Sequence, residues 1–491
     1  MSTRIVTKHD TDKILQGAVV LGCGGGGPLL FARKMTEKMQ GPAIIQSGCL
    51  VSESDWMVMI ALIGSPSKVK EKSTPGADSA AKANSSVYSA KSRWKFAIAS
   101  IRNQKAAKIV RDEIDGLRLA DPSHSHRTLP HQGESNFFEL VRRVQRLNFF
   151  SRWDVGTDEV DGSALISPVV PVTNTFNYIQ SQCRMRASDL RNYPRFNGFE
   201  RFKYVLTGEL GVVNIATSLF LSSAFGVTVL DGDGAGRAVP FVNMITYANK
   251  LNVSPSTVVS PQQADDLSSV ASVTMDLPRG KESLVEELLA DLLIDPDGHF
   301  TPYVGYGTYV TRGHQLLDIP IWGTYSKAIA VGEALSTCVS HERVDRIIDA
   351  LATHGIRSKI LFRGQVICNV LQDNSARDMG HLTIENQRGN SRMKLWYMNE
   401  FMMAIPSDTN VPVAMAPDLI MIVPSVGPPV DLSSIGQIGK TEVYVLGAEA
   451  SSKIRTTEII ENFEKVYCLF KDDCGKTIYT GSYRQLTFAG S

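Results

Sequence analysis

The chain of 491 residues is poor in cysteine and carries almost no net charge. Its seven cysteines are scattered and never spaced Cys-x-x-Cys, which argues against a disulfide scaffold and against a structural zinc finger. The 51 basic and 50 acidic residues leave a net charge of +1, so we expect neither nucleic acid nor an anionic membrane surface as a partner. What remains is a globular chain of roughly two to four domains, at about 100–200 residues per domain.

Long apolar runs are also scarce. Residues 210–230 stay uncharged over the length of a membrane span. Asn, Thr and Ser residues dilute this stretch, and Glu209 and Asp231 bound it in place of the basic clusters that flank spans. We therefore expect no membrane span, but a buried helix at about 211–224 and a buried strand at about 227–230. The polar N-terminal residues lack the apolar core of a secretory signal, so we expect a cytoplasmic protein with reduced thiols.

Apolar periodicity predicts alternating helices and strands in the first part of the chain and strands in the last part. Helices are predicted at 10–21, 28–38, 95–118, 136–149, 283–294 and 323–337, and early strands at 43–46 and 56–63. Strands of the last part are predicted at 360–362, 365–370, 381–386, 394–398, 419–423 and 442–446. This pattern predicts an α/β N-terminal domain with glycine-rich loops and a β-rich C-terminal domain.

The composition changes at about 68–93, where Lys, Ser, Ala and Gly predominate and large apolar residues are few. Such a segment cannot bury enough apolar surface to offset its ordering entropy. We therefore predict a long, partly disordered insertion at 73–197. The α/β domain then comprises 1–72 and 198–344, and the β-rich domain comprises 345–491.

A glycine run, GCGGGGP, satisfies the pattern G-x-G-x-x-G at Gly22, Gly24 and Gly27. A dinucleotide site needs a strand before this pattern and an acidic residue about 20 positions beyond it. Here the preceding segment reads as a helix and no acid lies between Glu37 and Glu53, so we expect no nucleotide cofactor. A flexible loop that leads into a helix can instead offer backbone N–H groups to a carboxylate, an imide oxygen or an oxyanion. A tight packing turn is the alternative.

An acidic loop, DGDGAGRAVP, begins at Asp231 directly after the predicted buried strand. Carboxylates at the end of such a strand lie where α/β folds place their ligands. With Arg237 nearby, one of Asp231 and Asp233 would stay ionised and the other would have a raised pKa for proton transfer. A calcium loop is excluded, because Ala235 and Val242 occupy its fifth and twelfth positions. A structural Asp–Arg turn is the alternative.

Neither the histidine cluster nor the search for two common catalytic motifs points to a specific enzyme class. His124, His126 and His131 have a spacing that could bind zinc, but no cysteine lies near them to complete a site. Neither G-x-S-x-G nor H-E-x-x-H occurs, which argues against a serine esterase and a zincin.

The glycine run and the acidic loop belong to an ordered series of motifs. The others are Gly64-Ser65-Pro66 with Glu71-Lys72, Glu209-Leu210-Gly211 with Asn214, GTYSKAIAVGEAL at 323–335, Tyr397-Met398-Asn399-Glu400 and Ala416-Pro417-Asp418-Leu419-Ile420. This series resembles the DUF917 family, also called the S-methyl thiohydantoin desulfurase family. Its members often accompany, or are fused to, hydantoinase or oxoprolinase subunits. DGDGAGRA is the most specific element of the resemblance.

The resemblance implies a two-domain enzyme that hydrolyses a small cyclic ureide or its S-methyl thio analogue and releases a thiol. It implies that Glu209, Asp231 and Asp233 are the acid and base candidates and that Arg237 stabilises the ring anion. The residues that would bind the substrate are Gly24, Gly25, Gly26, Gly27, Glu71, Asn214 and Asn243. A divalent metal, a homo-oligomer and a hydantoinase-type partner subunit are also compatible with the resemblance.

The chain departs from the pattern of the family at several positions. Phe241 replaces the usual Glu, Val212 replaces a Gly, and Cys23 replaces the usual Thr. The segment between the motifs at 71–72 and 209–211 is also longer than the resemblance implies, and it would be a lid, a partner-binding module or translated non-coding sequence. These departures leave an alternative open, in which the chain is a non-catalytic homologue that binds a hydantoinase-type or oxoprolinase-type partner.

Overall fold

The computed structural model contains a mixed α/β region followed by a β-rich region. The described residues are 3–64, 169–191, 193–248, 250, 253–261, 270–275, 303–316, 318–338, 340–373, 377–409, 411–472 and 474–488. The helices predicted at 95–118, 136–149 and 283–294, the segment 68–93 and the three clustered histidines lie outside them.

A mixed eight-stranded sheet organises the N-terminal region. The strands of this region are β1 (Thr3–Val6), β2 (Ala43–Gln46), β3 (Trp56–Gly64), β4 (Tyr204–Leu206), β5 (Thr228–Leu230), β6 (Gly232–Asp233), β7 (Val253–Pro261), β8 (Val270–Met275), β9 (Tyr303–Arg312) and β10 (Ile321–Trp322). The sheet has the order β1-β2-β5-β4-β3-β9-β7-β8, and β6 pairs separately with β10. β2, β5, β4 and β3 run parallel, and the other neighbours pair antiparallel. The strands predicted at 43–46 and 56–63 are thus confirmed.

Helices pack against this sheet and against each other. They are α1 (Lys8–Leu21), α2 (Leu29–Glu37), α3 (Val169–Ala187), α4 (Val212–Phe225), α5 (Thr324–Thr337) and α6 (Ser340–Thr353). α1 begins with a capping box, in which the Thr7 N–H donates to the Asp10 carboxylate at 3.0 Å. α1 packs along α5, and α4 packs against α2 and the parallel strands. The helices predicted at 10–21, 28–38 and 323–337 are confirmed.

α4 accounts for the uncharged run of the sequence. Nearly all of its side chains are buried, and a helix that is buried on every side must be apolar all round. Its hydroxyl groups form hydrogen bonds, as where Thr217 donates to the Val213 carbonyl at 2.8 Å within the helix and Ser223 donates to the Gly41 carbonyl at 2.8 Å outside it. Gly226, with a φ of 66°, ends the helix before β5, so the predicted buried helix and strand are confirmed. Among the described residues, no helix is long and apolar enough to cross a membrane.

An antiparallel seven-stranded sheet forms the C-terminal region. Its strands are β11 (Ser358–Asp373), β12 (Met379–Glu385), β13 (Arg392–Met398), β14 (Glu400–Pro406), β15 (Ala414–Met415), β16 (Leu419–Pro424) and β17 (Glu442–Ala448), and α7 (Thr457–Tyr467) follows them. The order is β15-β14-β13-β12-β11-β17-β16, and the sheet curls until β14 and β15 contact β16. The result is a nearly closed barrel, which confirms the β-rich prediction. The two strands predicted at 360–362 and 365–370 are wrong as separate elements, because Arg363 and Gly364 between them stay paired with β17 within one continuous β11.

The two regions share one core. On β16, Leu419, Met421 and Val423 face the cluster that contains α1 and α5, whereas Ile420 and Ile422 face the interior of the barrel. α1 therefore lies between the N-terminal sheet and the barrel. This arrangement brings the loops at the helix ends against the barrel strands.

α3 lies within the segment predicted as an insertion. Its Phe176 and Ile179 are buried in the N-terminal core, and the Phe176 and Phe225 rings are 4.4 Å apart between centroids. This part of 73–197 is therefore packed on the N-terminal region. The domain boundaries drawn from the sequence stay a prediction.

Candidate functional site

The glycine run forms the connection between α1 and α2, at the boundary of the two regions. The Cys23 carbonyl accepts the Phe401 N–H at 2.8 Å, and the Gly26 carbonyl accepts the Val213 N–H at 2.9 Å. Gly26 and Gly27 have φ values of 79° and 88°, in the region that favours glycine. The loop thus touches both the start of α4 and the start of β14.

Glu400 lies against this loop and was missing from the predicted site. A Cβ on Gly25 would lie 2.3 Å from Glu400 Oε1, so only glycine allows the carboxyl to come this close. The Gly26 N–H donates to the same carboxyl group. Glu400 is buried, at 3% exposure, and its Oε2 has no hydrogen-bond partner among the described residues. A buried, half-satisfied carboxyl group is costly to fold and points to a function.

Glu209 approaches the same place from the N-terminal sheet, since it lies three residues after the end of β4. Its Oε1 accepts Asn214 Nδ2 at 3.0 Å, and its Oε2 accepts the Val239 N–H at 2.6 Å. The Leu62 N–H donates to Asn214 Oδ1 at 3.0 Å, which fixes the orientation of the amide. Part of Glu209 remains exposed, although the protein surrounds its carboxyl group.

Burial sets the electrostatics of this carboxyl pair. It raises the pKa of Glu209 to about 7, against the lowering effect of the Val239 and Asn214 hydrogen bonds. Burial first, and then the like charge of Glu209, raise the pKa of Glu400 well above its ordinary value. Arg237 favours the ionised form of both groups without overcoming burial. The pair therefore holds at least one proton near neutral pH, which is the condition for one carboxyl to act as acid and the other as base.

Arg237 is fully buried and joins the acidic loop to the C-terminal region. Its Nη1 donates to the Asp418 carbonyl at 2.8 Å and its Nη2 to the Phe401 carbonyl at 2.6 Å. Its Nε donates to the Ala238 carbonyl at 3.0 Å. The guanidinium therefore acts on the carboxyl pair through its charge, from a position fixed by carbonyl groups.

The two aspartates of the acidic loop fasten that loop to α5. Asp231 accepts the Tyr325 N–H at 2.7 Å and the Ser326 hydroxyl at 2.6 Å, as a cap for the helix. Asp233 is fully buried and accepts the N–H groups of Ala235 and Gly236 and the Thr324 hydroxyl. Burial raises the pKa of Asp233, and Lys327 opposes the rise. The donors to both aspartates come from their own turn and from the start of α5, which fits the alternative of a structural turn.

The remaining predicted residues are placed as follows. Asn243 follows the acidic loop, and its buried Oδ1 has no hydrogen-bond partner among the described residues. Glu71 lies outside the described residues. Phe241 is half-buried beneath the guanidinium of Arg377, whose Cζ lies 3.9 Å from the ring centroid. Burial raises the pKa of Cys23, which is adjacent to Glu400 and Arg237.

The sequence neither predicted nor excluded a divalent metal ion. Across the described ranges, no group of three or more His, Cys, Asp and Glu side chains is arranged to hold a metal ion.

Two domain models of one protein family together match most of the chain. The N-terminal domain model of the S-Me-THD-like family matches residues 9–118 and 162–269, and its C-terminal domain model matches residues 282–467. The chain belongs to the S-Me-THD-like family. Glu209 falls in the N-terminal match and Glu400 in the C-terminal match, so the carboxyl pair is assembled from both S-Me-THD-like domains.

The fold is also seen in a solved structure. A crystal structure of a protein from Chromobacterium violaceum is similar, with a TM-score of 0.63, 18% sequence identity, and coverage of 99% of this chain and 100% of that chain. This likeness supports the S-Me-THD-like fold alone. No curated protein matches the chain.

Sequence reasoning missed Glu400 although the motif that contains it was noticed. The signal was a lone acid at the start of a strand that is otherwise apolar, Glu-Phe-Met-Met-Ala-Ile. Asn399 before it has a φ of 56°, so the chain turns sharply where the carboxyl enters the site. A lone acid that follows an Asn and begins an apolar run was the clue available in the sequence.

Proposed function

We propose that this chain is a hydrolase that acts on a small cyclic ureide, and that its reaction is the C–S hydrolysis of an S-methyl thiohydantoin. The observation that carries the proposal is the carboxyl pair of Glu209 and Glu400. Two carboxyl groups in different surroundings, of which at least one is protonated near neutral pH, are suited to removing a proton from water and giving one to a leaving group.

In this reaction Glu209, in its ionised form, is the base. It takes a proton from a water molecule as the water oxygen forms a bond to the ring carbon that carries sulfur. The electron pair of the C=N bond moves to the ring nitrogen. The charge of Arg237 and backbone donors such as the Gly27 N–H, which has no acceptor among the described residues, favour this anion.

Glu400, in its protonated form, is the acid. The nitrogen pair re-forms the C=N bond, the C–S bond breaks, and the sulfur takes the Glu400 proton and leaves as methanethiol. The ring product is the hydroxyl tautomer of a hydantoin, which becomes the lactam. Transfer of the proton from Glu209 to Glu400 resets the pair, so that one water is consumed and one thiol is released.

The test is methanethiol release from S-methyl thiohydantoins by the purified protein, with divalent metals supplied in parallel samples. Glu209→Gln and Glu400→Gln should each lower the rate by about 10²–10⁴-fold. Glu385→Gln is the matched control, since Glu385 forms an exposed ion pair with Arg392 far from the carboxyl pair. No release above the blank by folded protein would overturn the proposal and would favour the non-catalytic, partner-binding alternative.

A further inference from the structure

Asp418 binds Arg237 through its main chain. Its carbonyl accepts Arg237 Nη1 at 2.8 Å, which is one of the three hydrogen bonds that fix the guanidinium. Asp418 is fully buried directly before β16, and its own N–H donates to the Met415 carbonyl at 3.0 Å. A shift of the main chain at Asp418 would therefore change where the charge of Arg237 lies.

The side chain of Asp418 is held in turn by the C-terminal segment, residues 478–488. This segment lies beyond the family match, which ends at residue 467. Asp418 Oδ2 accepts the Tyr483 hydroxyl at 2.9 Å and the Leu486 N–H at 2.7 Å, and Oδ1 accepts the Ala450 N–H at 2.8 Å. Because the carboxylate is fully buried, bulk water cannot replace a donor that is lost.

The C-terminal segment is anchored on both sides of these contacts. The Tyr483 N–H donates to Glu464 Oε1 of α7 at 2.8 Å, and Lys359 Nζ of β11 donates to the Thr487 carbonyl at 2.7 Å. Leu486 is buried in the interior of the barrel. The segment therefore runs from α7 to β11 and contacts Asp418 between these two anchors.

The charge of Arg237 links Asp418 to the carboxyl pair. Arg237 lowers the pKa of both Glu209 and Glu400, against the larger effect of burial, so a guanidinium that moves away would raise both pKa values. Besides Arg237 and the pair itself, the charged or titratable groups that interact with Asp418, Glu400 or Glu209 are Tyr483, Arg455, Tyr467, Arg377, Cys23 and Asp233.

We propose that Asp418 and Tyr483 are positioning residues that hold Arg237 beside the carboxyl pair, so that the C-terminal segment sets the proton balance of the site. This inference rests on the proposed function, because it takes Glu209 as the base and Glu400 as the acid. Without the Tyr483 hydroxyl, the buried carboxylate loses a donor and the main chain at Asp418 relaxes. The guanidinium then loses its fixed position relative to the pair.

The test compares Tyr483→Phe and Asp418→Asn with Tyr479→Phe in the pH dependence of kcat/KM for methanethiol release. Tyr479→Phe is the matched control, because the Tyr479 hydroxyl lies in the same segment but donates to the Ser482 carbonyl at 2.8 Å. Both limbs of the profile should move to higher pH in Tyr483→Phe and further in Asp418→Asn. A shift of one unit lowers the rate on the acid side by about tenfold.

Tyr479→Phe should keep the profile of the wild type. A loss of rate with unmoved limbs in Tyr483→Phe would show a structural role only and would overturn the inference. An equal shift in Tyr479→Phe would overturn it as well. If Asp418→Asn does not fold, the comparison of Tyr483→Phe with Tyr479→Phe decides.

A second measurement does not depend on activity. Urea unfolding of Tyr483→Phe, Arg237→Met and the double variant shows whether the two side chains act through the same residue, Asp418. The double variant should lose less stability than the sum of the single losses, whereas Tyr479→Phe combined with Arg237→Met should lose the full sum. Additive losses for Tyr483→Phe would contradict the inference. If the wild type releases no thiol, the proposed function fails, and this unfolding comparison alone decides the inference.

Discussion

Replacement of Glu209 by Gln should change how the stability of the chain depends on pH. The folded chain holds this carboxyl at a pKa of about 7, against an ordinary value of 4.5. Below pH 4.5 the carboxyl is protonated in both the folded and the unfolded chain, so it has no effect on their balance. Between pH 4.5 and about 7 the unfolded chain releases the proton while the folded chain keeps it, so the wild type loses stability as the pH rises.

The size of this effect follows from the pKa difference. At roughly 1.36 kcal/mol per pKa unit, the difference between pKa values of 4.5 and about 7 corresponds to about 3 kcal/mol of unfolding free energy. Because part of Glu209 remains exposed, we expect about 2–3 kcal/mol. In Glu209→Gln, the side-chain NH2 group faces one of the two donors, Asn214 Nδ2 or the Val239 N–H, so one hydrogen bond is lost. This loss lowers the free energy of unfolding by about 1–3 kcal/mol at every pH.

The assay is urea unfolding of the wild type and Glu209→Gln from pH 4.5 to pH 8, with Glu385→Gln as the exposed control. The free energy of unfolding of Glu209→Gln, relative to that of the wild type, should rise by about 2–3 kcal/mol from pH 4.5 to pH 8, whatever the difference between the two proteins is at pH 4.5. Glu385→Gln should follow the wild type. Parallel curves for the wild type and Glu209→Gln would refute the claim that the Glu209 carboxyl is held protonated by burial.

Three further substitutions test the packing of the site, each by urea unfolding. Gly25→Ala should cost about 1–3 kcal/mol, because its Cβ displaces the Glu400 carboxyl, whereas Gly41→Ala, whose Cβ meets nothing within 4 Å, should cost little; equal effects would contradict the close approach. Arg237→Met should cost about 3 kcal/mol or more, because it leaves three buried carbonyls without their donor, and a loss as small as that of the exposed Arg392→Met would be inconsistent with this. Asp231→Ala should cost about 0.5–2 kcal/mol through the lost cap of α5, and unchanged stability would argue against the capping role.

Much of the fold could be predicted from local pattern. The uncharged run at 210–230 predicts a helix buried on all sides followed by a buried strand, because a folded chain that does not cross a membrane buries such a run in its interior. Four strands of the barrel, β12, β13, β16 and β17, were predicted from the sequence, whereas β14 and β15 were missed. β11 was divided wrongly because Arg363 and Gly364 interrupt its run of apolar residues, although both stay paired with β17.

The site was predicted only in part, because its contacts join residues far apart in the chain. Glu209 was recognised, yet its partner Glu400 lies in the other domain, and nothing in the local sequence pairs them. Asp231 and Asp233 have the composition of a catalytic loop, but their donors come from α5 and from their own turn. The difference between a catalytic and a structural carboxyl lies in which donors the fold brings to it, and this is not visible in composition.

The pH dependence of methanethiol release by the wild type and by Glu400→Gln tests the central claim most directly. The account predicts a bell-shaped kcat/KM profile for the wild type, with the rising limb near pH 7 as Glu209 becomes ionised and the falling limb as Glu400 loses its proton. It also predicts that Glu400→Gln loses about 10²-fold or more of the rate together with the falling limb. A Glu400→Gln protein that keeps the rate and the bell of the wild type would contradict it.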